Sequence, residues 1–203
     1  MNRSNLANRT LFILCGGDST RMQQDKATLN LGSSTFLEVL IERASSYFSD
    51  IRLLSGGRNY EQQSLPVYKD EISHAGPLSA LLTGCRVSND KEFAIHTVDA
   101  PLISERILDL MANFQLPPDN DAALFKDEKH LHPLSGIYHP RITPDLGQQL
   151  EREEFAVMRF ISSLNVHVFS CREDELINVN RPGDYDRLKK IYQSRNSKFD
   201  SRM

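Results

Sequence analysis

Short apolar runs recur along the chain, separated by stretches where apolar residues return every three or four positions. Runs at 11–14, 51–55, 66–70, 93–98, 122–125, 134–138 and 165–170 read as strands. The first, Leu11 to Leu14, has no polar position, as expected of a strand buried on both faces of a parallel sheet. Apolar positions 36, 37, 40, 41 and 44 form one helical stripe over 36–47. Gly76 and Pro77 open a helix to about Val87, with proline in the first turn where its missing N–H costs nothing. Ser104 is placed to cap a helix reaching about Phe114. Further helices are predicted near 142–152, 155–163 and 182–192, and a short extended segment at 27–31 ahead of a turn at 32–35. Loops fill 116–121 and the charged stretch 126–130. Strands alternating with helices predict an α/β fold.

Composition narrows the class. With 203 residues, 39% hydrophobic and 25% charged, the chain matches one globular domain with a sizeable core. A formal charge of −3 argues against a general nucleic-acid binder, so any anion site must be a local patch. No apolar stretch approaches the roughly 20 residues of a membrane span, and the polar first ten residues lack a signal-peptide core. Cys15, Cys85 and Cys171 are odd in number and widely spaced, which suits thiols in a reducing cytoplasm rather than a disulfide or zinc framework. The predicted organisation is a flexible segment at 1–10, one domain at 11–192 and a frayed polar tail at 193–203. Within the domain, the loop at 116–121 separates a larger part, 11–114, from a smaller one, 115–192.

The chemistry starts where the first strand ends. Gly16 and Gly17 let the backbone turn sharply and approach a ligand, and backbone N–H groups there can bind phosphate oxygens. Arg21 and Lys26 add positive charge along the following polar loop. Neither Gly-x-x-x-x-Gly-Lys-Ser/Thr nor Gly-x-Gly-x-x-Gly occurs there, which disfavours a P-loop ATPase and a dinucleotide-binding Rossmann domain. The ordered string Gly16, Gly17, Ser19, Arg21, Met22, Asp25 and Lys26 resembles the signature loop of the molybdenum cofactor guanylyltransferases. Cys15 stands where that family usually has Ala, and Gln23 where it has Gly. The resemblance covers about residues 11–187. It implies a single-domain, Rossmann-like three-layer fold of the nucleotide-diphospho-sugar transferase type, with a mostly parallel central sheet.

Asp99 ends the apolar run 93–98 and reads either as a Mg2+ ligand or as a turn-forming carboxylate. The resemblance favours the ligand, since the family has an Asp-x-Pro segment here that binds metal. It also places Leu14, Cys15, Gly16, Gly17, Lys26, Ser55, Asp70, Gly76 and Asp99 at the nucleotide, with Arg21, Lys26 and Asp99 catalytic. Ser55 and Gly57 stand where the family usually shows the asparagines of Asn-x-Asn-Arg; serine keeps a donor and an acceptor, glycine keeps neither. His132, in His-Pro-Leu, and Asn178 and Asn180, in Asn-x-Asn-Arg-Pro, resemble segments that face the pterin; each could equally be a loop or turn residue. His130 and His132 lack an evident third partner for a metal pair.

The implied reaction is GMP transfer from GTP to the terminal phosphate of molybdopterin, with Mg2+ as cofactor and pyrophosphate as leaving group. Transient contacts with molybdenum-insertion and molybdoenzyme maturation proteins are implied as well. Two other readings remain open: a related nucleotidyltransferase using CTP or a sugar phosphate, and a non-catalytic nucleotide- or cofactor-binding homologue.

Overall fold

The computed structural model describes residues 7–16, 25–58, 60, 64–72 and 75–194, and follows the backbone of the last helix to Asp200. Gly17, Ser19, Arg21, Met22 and Gln23 of the signature, and most of the predicted flexible N-terminal segment, lie outside the described residues.

The chain begins β1 (Leu11–Leu14), β2 (Asn30–Leu31), β3 (Ser34–Thr35), α1 (Phe36–Ala44), β4 (Ile51–Leu54), β5 (Val67–Tyr68), α2 (Pro77–Val87) and β6 (Phe93–Thr97). It continues α3 (Glu105–Asn113), β7 (Ala122–Lys126), β8 (Leu131–Tyr138), α4 (Thr143–Glu151), α5 (Val157–Ile161), β9 (Val166–Ser170) and α6 (Pro182–Asp200). Among the described residues, seven strands join one sheet in the order β5-β4-β1-β6-β8-β7-β9. Pairings from β5 through β6 are parallel, and so is β7 with β9. β8 alone runs antiparallel to both its neighbours, so the sheet is mostly parallel. β2 and β3 form a separate two-stranded hairpin.

Alternation along β1 builds the layers. Leu11 and Ile13 pack on one face with Phe36 and Leu40 of α1, Ile107 and Leu108 of α3 and Leu188 of α6. Phe12 and Leu14 pack on the other with Leu81 and Leu82 of α2, Leu146 of α4 and Phe160 of α5. Both faces of the strand are covered, which is why the run carries no polar side chain. Full burial of each such side chain stabilises the fold by about 1.5–3 kcal/mol before entropy is counted.

Several boundaries differ from the sequence reading. Residues 27–31 are only partly extended: a 3-10 turn at Lys26–Thr28 comes first, capped by the Asp25 carboxylate. α1 stops at Ala44 rather than near 47. β8 starts at Leu131, three residues early, because Leu131 and His132 pair with Lys126 and Phe125 across a register shift in β7. The last helix extends past 192 to Asp200, and no glycine or proline follows Gly183 to stop it.

Candidate active site

The predicted nucleotide residues gather at the carboxyl ends of β1, β4, β5 and β6, where open α/β sheets place ligands. From β1 the chain steps outward to β4 and β5, then returns to β6 on the opposite side. The glycine turn after β1 and the Asp99 turn after β6 therefore flank the point where strand order reverses. The Val98 N–H donates to the Leu14 carbonyl at 3.0 Å, fastening the two turns together.

Gly16 is required by close packing. A Cβ there would lie 2.5 Å from both Cα and N of Gly56, backbone atoms that cannot swing away. The turn after β1 thus rests directly on the turn after β4. The backbone N–H groups of Cys15 and Gly16 both point at the Leu54 carbonyl, at 2.9 and 3.3 Å. Those two amides are committed to the sheet, so the described part of the turn offers framing rather than free phosphate donors. Leu14 and Cys15 are each 4% exposed, and burial pushes the Cys15 thiol up, so it stays neutral core filling.

Three predicted residues converge between the two halves. Lys26 Nζ lies 3.2 Å from Asp99 Oδ2 and donates to Asn180 Oδ1 at 2.7 Å. The backbone repeats the connection: the Val179 N–H donates to the Asp99 carbonyl at 2.8 Å, laying the 178–180 segment along the Asp99 turn. Asp184, in the first turn of α6, accepts from the Asn180 and Arg181 N–H groups at 3.0 and 2.8 Å and fixes that segment's exit. Asp99 Oδ1 is buried without a hydrogen-bond partner. A buried, unpaired carboxylate oxygen is costly unless something binds it. A hard divalent cation suits it, drawing its other oxygens from nucleotide phosphates and water. No group of three or more His, Cys, Asp or Glu among the described residues could hold a metal alone. The residues fit a Mg2+ ion that arrives with a nucleotide.

On the outer side, Asp70 Oδ1 and Ser55 Oγ are also buried without partners. Burial raises the Asp70 carboxyl above its ordinary range, opposed by the Gly56 backbone N–H. Ser55 is fully buried, so its hydroxyl meets a base only if the turn opens. Gly76 caps α2 at φ 65° and ψ −152°, a conformation essentially restricted to glycine. A Cβ at Gly76 would meet nothing within 4 Å, so the residue serves the chain's direction rather than close packing.

The residues predicted for the acceptor line a cavity of about 450 Å³, together with Asp99 and Asp127. His132 sits in β8 rather than in a loop, and its Nε2 lies 2.9 Å from Asp127 Oδ2. Asp127 is 7% exposed. Burial alone would raise its carboxyl, but the Lys129 and His130 N–H groups and His132 outweigh it and hold it below the usual range. His130 Nδ1 lies 3.9 Å from the other Asp127 oxygen, so both histidines face one carboxylate. At the rim, Lys129 and Arg187 pair with opposite oxygens of Glu173 at 3.1 and 2.7 Å.

The sequence reading passed over Asp127, Tyr60 and His96. His96 is fully buried in β6; its Nε2 donates to the Ala100 carbonyl at 3.0 Å and its Nδ1 accepts from Ser135 at 2.8 Å. It ties the Asp99 turn to β8, which lines the cavity. No periodicity or motif distinguishes these three, because each acquires its meaning from a partner distant in sequence.

A sequence profile for the MobA-like NTP transferase domain matches residues 11–168. The chain is 31% identical over 195 residues to a protein of Carboxydothermus hydrogenoformans named probable molybdenum cofactor guanylyltransferase, covering 92% of this chain and 98% of that one. It is 28% identical to the Flavobacterium johnsoniae protein of the same name, over 88% and 95% of the two chains. The fold is shared with the molybdopterin-guanine dinucleotide biosynthesis protein A structure from Archaeoglobus fulgidus, at a TM-score of 0.77 and 16% identity over 91% of this chain and 99% of that one. With the profile spanning most of its length and its turns meeting at the strand ends, the chain belongs to the family of MobA-like NTP transferase domains.

Proposed function

We propose that this protein is a Mg2+-dependent guanylyltransferase acting on the molybdenum cofactor. It transfers GMP from GTP to the terminal phosphate of molybdenum-bound molybdopterin. The observation that carries the reading is the convergence of Lys26, Asp99 and Asn180 beside the acceptor cavity, with one Asp99 oxygen buried and unpaired. An oxygen of the acceptor phosphate attacks the α-phosphorus. A new P–O bond forms, the bond from the α-phosphorus to the bridging oxygen breaks, and pyrophosphate leaves. The attacking phosphate is already ionised near neutrality, so no dedicated base is needed.

The protein's part is positioning and charge compensation. Lys26 binds phosphate oxygens, and Arg21 adds charge from the signature loop. Asp99 would hold Mg2+, which would supply Lewis-acid neutralisation of the triphosphate. Asp70 Oδ1 accepts from the N–H donors on the guanine edge, from the outer side of the site. His132, Asn178 and Asn180 address the pterin, through ring and amide groups that can both donate and accept hydrogen bonds. Three free cysteines suit a reducing cytoplasm, and no described helix is long and apolar enough to cross a membrane.

The test is to incubate purified protein with Mg2+, molybdopterin cofactor and either GTP or CTP, following pyrophosphate and dinucleotide. GTP should support turnover, and Asp99→Asn should lower it by roughly 100-fold or more, the scale of losing a principal transition-state electrostatic contact. Transfer from CTP but not GTP would overturn the guanine assignment. Full activity in the Asp99→Asn variant would overturn the metal-ligand role.

A further inference from the structure

Asp25 belongs to the glycine-rich signature, yet its carboxylate does not face the reaction centre. Oδ1 accepts from the Ala27 N–H at 3.0 Å and caps the 3-10 turn that carries Lys26. Oδ2 accepts from the Tyr60 hydroxyl at 2.8 Å and pairs with the Arg58 guanidinium at 2.8 Å. The same hydroxyl lies 3.1 Å from the Cys15 carbonyl, at the end of β1. Tyr60 is 7% exposed, and burial followed by the hydrogen bond to Asp25 raises its hydroxyl above the ordinary range, so it is a constant donor. Both oxygens of Asp25 are thus committed to the protein.

Arg58 and Tyr60 follow directly on the turn after β4. In that turn Gly56 packs its backbone on Gly16, and its N–H reaches Asp70. One continuous set of contacts therefore runs from Asp70 through Gly56 and Arg58 to Asp25, and from Asp25 to the turn bearing Lys26. Charge-assisted hydrogen bonds in a partly dry setting are the strong ones, so the link is stiff.

We propose that Arg58, Tyr60 and Asp25 form a latch that positions Lys26, coupling the seating of the base near Asp70 to the grip on the phosphates. The three are positioning residues, and the inference rests on the proposed roles of Lys26 and Asp70 in binding GTP. Asp25 is on this account a strut beside the metal site and not a second metal ligand.

A double-mutant cycle separates the latch from a general structural role, because residues acting through one another are non-additive. GTP affinity, with Mg2+ and without acceptor, would be measured by calorimetry for the wild type, Tyr60→Phe, Lys26→Ala and the double variant. Tyr60→Phe should weaken GTP roughly five-fold when Lys26 is present, the scale of one hydrogen bond, and less than about two-fold when it is not. Equal weakening in both backgrounds, or none in either, overturns the latch. Lys26→Ala leaving GTP affinity unchanged fails the phosphate-binding reading itself, and the latch with it. Mn2+ binding to the GTP complex, read by electron paramagnetic resonance, gives the second arm. Asp25→Asn should keep it while Asp99→Asn loses it; an equal loss in Asp25→Asn makes Asp25 a metal ligand and overturns the proposal.

Discussion

His96 illustrates how much a single buried side chain takes on here. It is fully enclosed, both ring nitrogens are used, and burial pushes it down from 6.5 to about 4, with the Ala100 carbonyl opposing. The unfolded chain takes up a proton at this histidine near 6.5, whereas the native protein resists until about 4. Protonation therefore favours unfolding: His96 costs no stability above about pH 6.5, and stability is lost progressively as the pH falls from there toward 4. Replacing it by glutamine, which keeps a donor for Ala100, should flatten that part of the profile. Urea unfolding across the same pH range checks it; an unchanged slope would count against the buried neutral state. Asp99, Lys26 and Asn180 were legible in the sequence because each stands in a motif or at a strand end. His96, Asp127 and Tyr60 were not, since a lone histidine, a charged-loop aspartate and a tyrosine carry no spacing signal.

Among the elements, α3 shows the most local logic. Ser104 accepts from the Ile107 N–H at 3.2 Å, as its place before a helical stripe predicts, and its hydroxyl also donates to Glu175 Oε1 at 3.0 Å. The cap thus serves α3 and anchors the segment leading to Asn178. Ser104→Ala should cost about 0.5–2 kcal/mol of stability, the usual range for losing a helix cap. Chemical denaturation measures it, and an unchanged midpoint would argue against the cap. β8 shows the limit of local logic. Its start at Leu131 depends on a register shift between Leu124 and Phe125, a property of the β7–β8 pair that neither strand's pattern contains. That early start brings His132 within reach of Asp127 and so shapes the cavity both residues line.

For the whole molecule, α6 closes the structure by returning the end of the chain to its beginning. Leu188 is fully buried in the same cluster as Leu11 and Ile13. The Tyr185 hydroxyl donates to the Asn30 carbonyl at 2.6 Å, and Tyr192 packs where Gly32 leaves room. Because Asp184 on this helix also fixes Asn180, docking of α6 and geometry at Lys26 are linked. Leu188→Ala should destabilise the fold by about 2–5 kcal/mol, as for other leucine truncations in packed cores. Thermal or urea unfolding tests it, and a loss below about 1 kcal/mol would mean that α6 is only peripherally docked. The amino-acid order settled most of which segments are strands and helices, and that a glycine turn follows β1, because period and turn chemistry are local properties. It could not settle that β8 runs antiparallel, that Gly16 must be bare to admit Gly56, or that Asp25 turns to Tyr60 and Arg58 while Asp99 keeps an unpaired oxygen. Those depend on contacts between residues tens of positions apart, which exist only once the sheet is assembled.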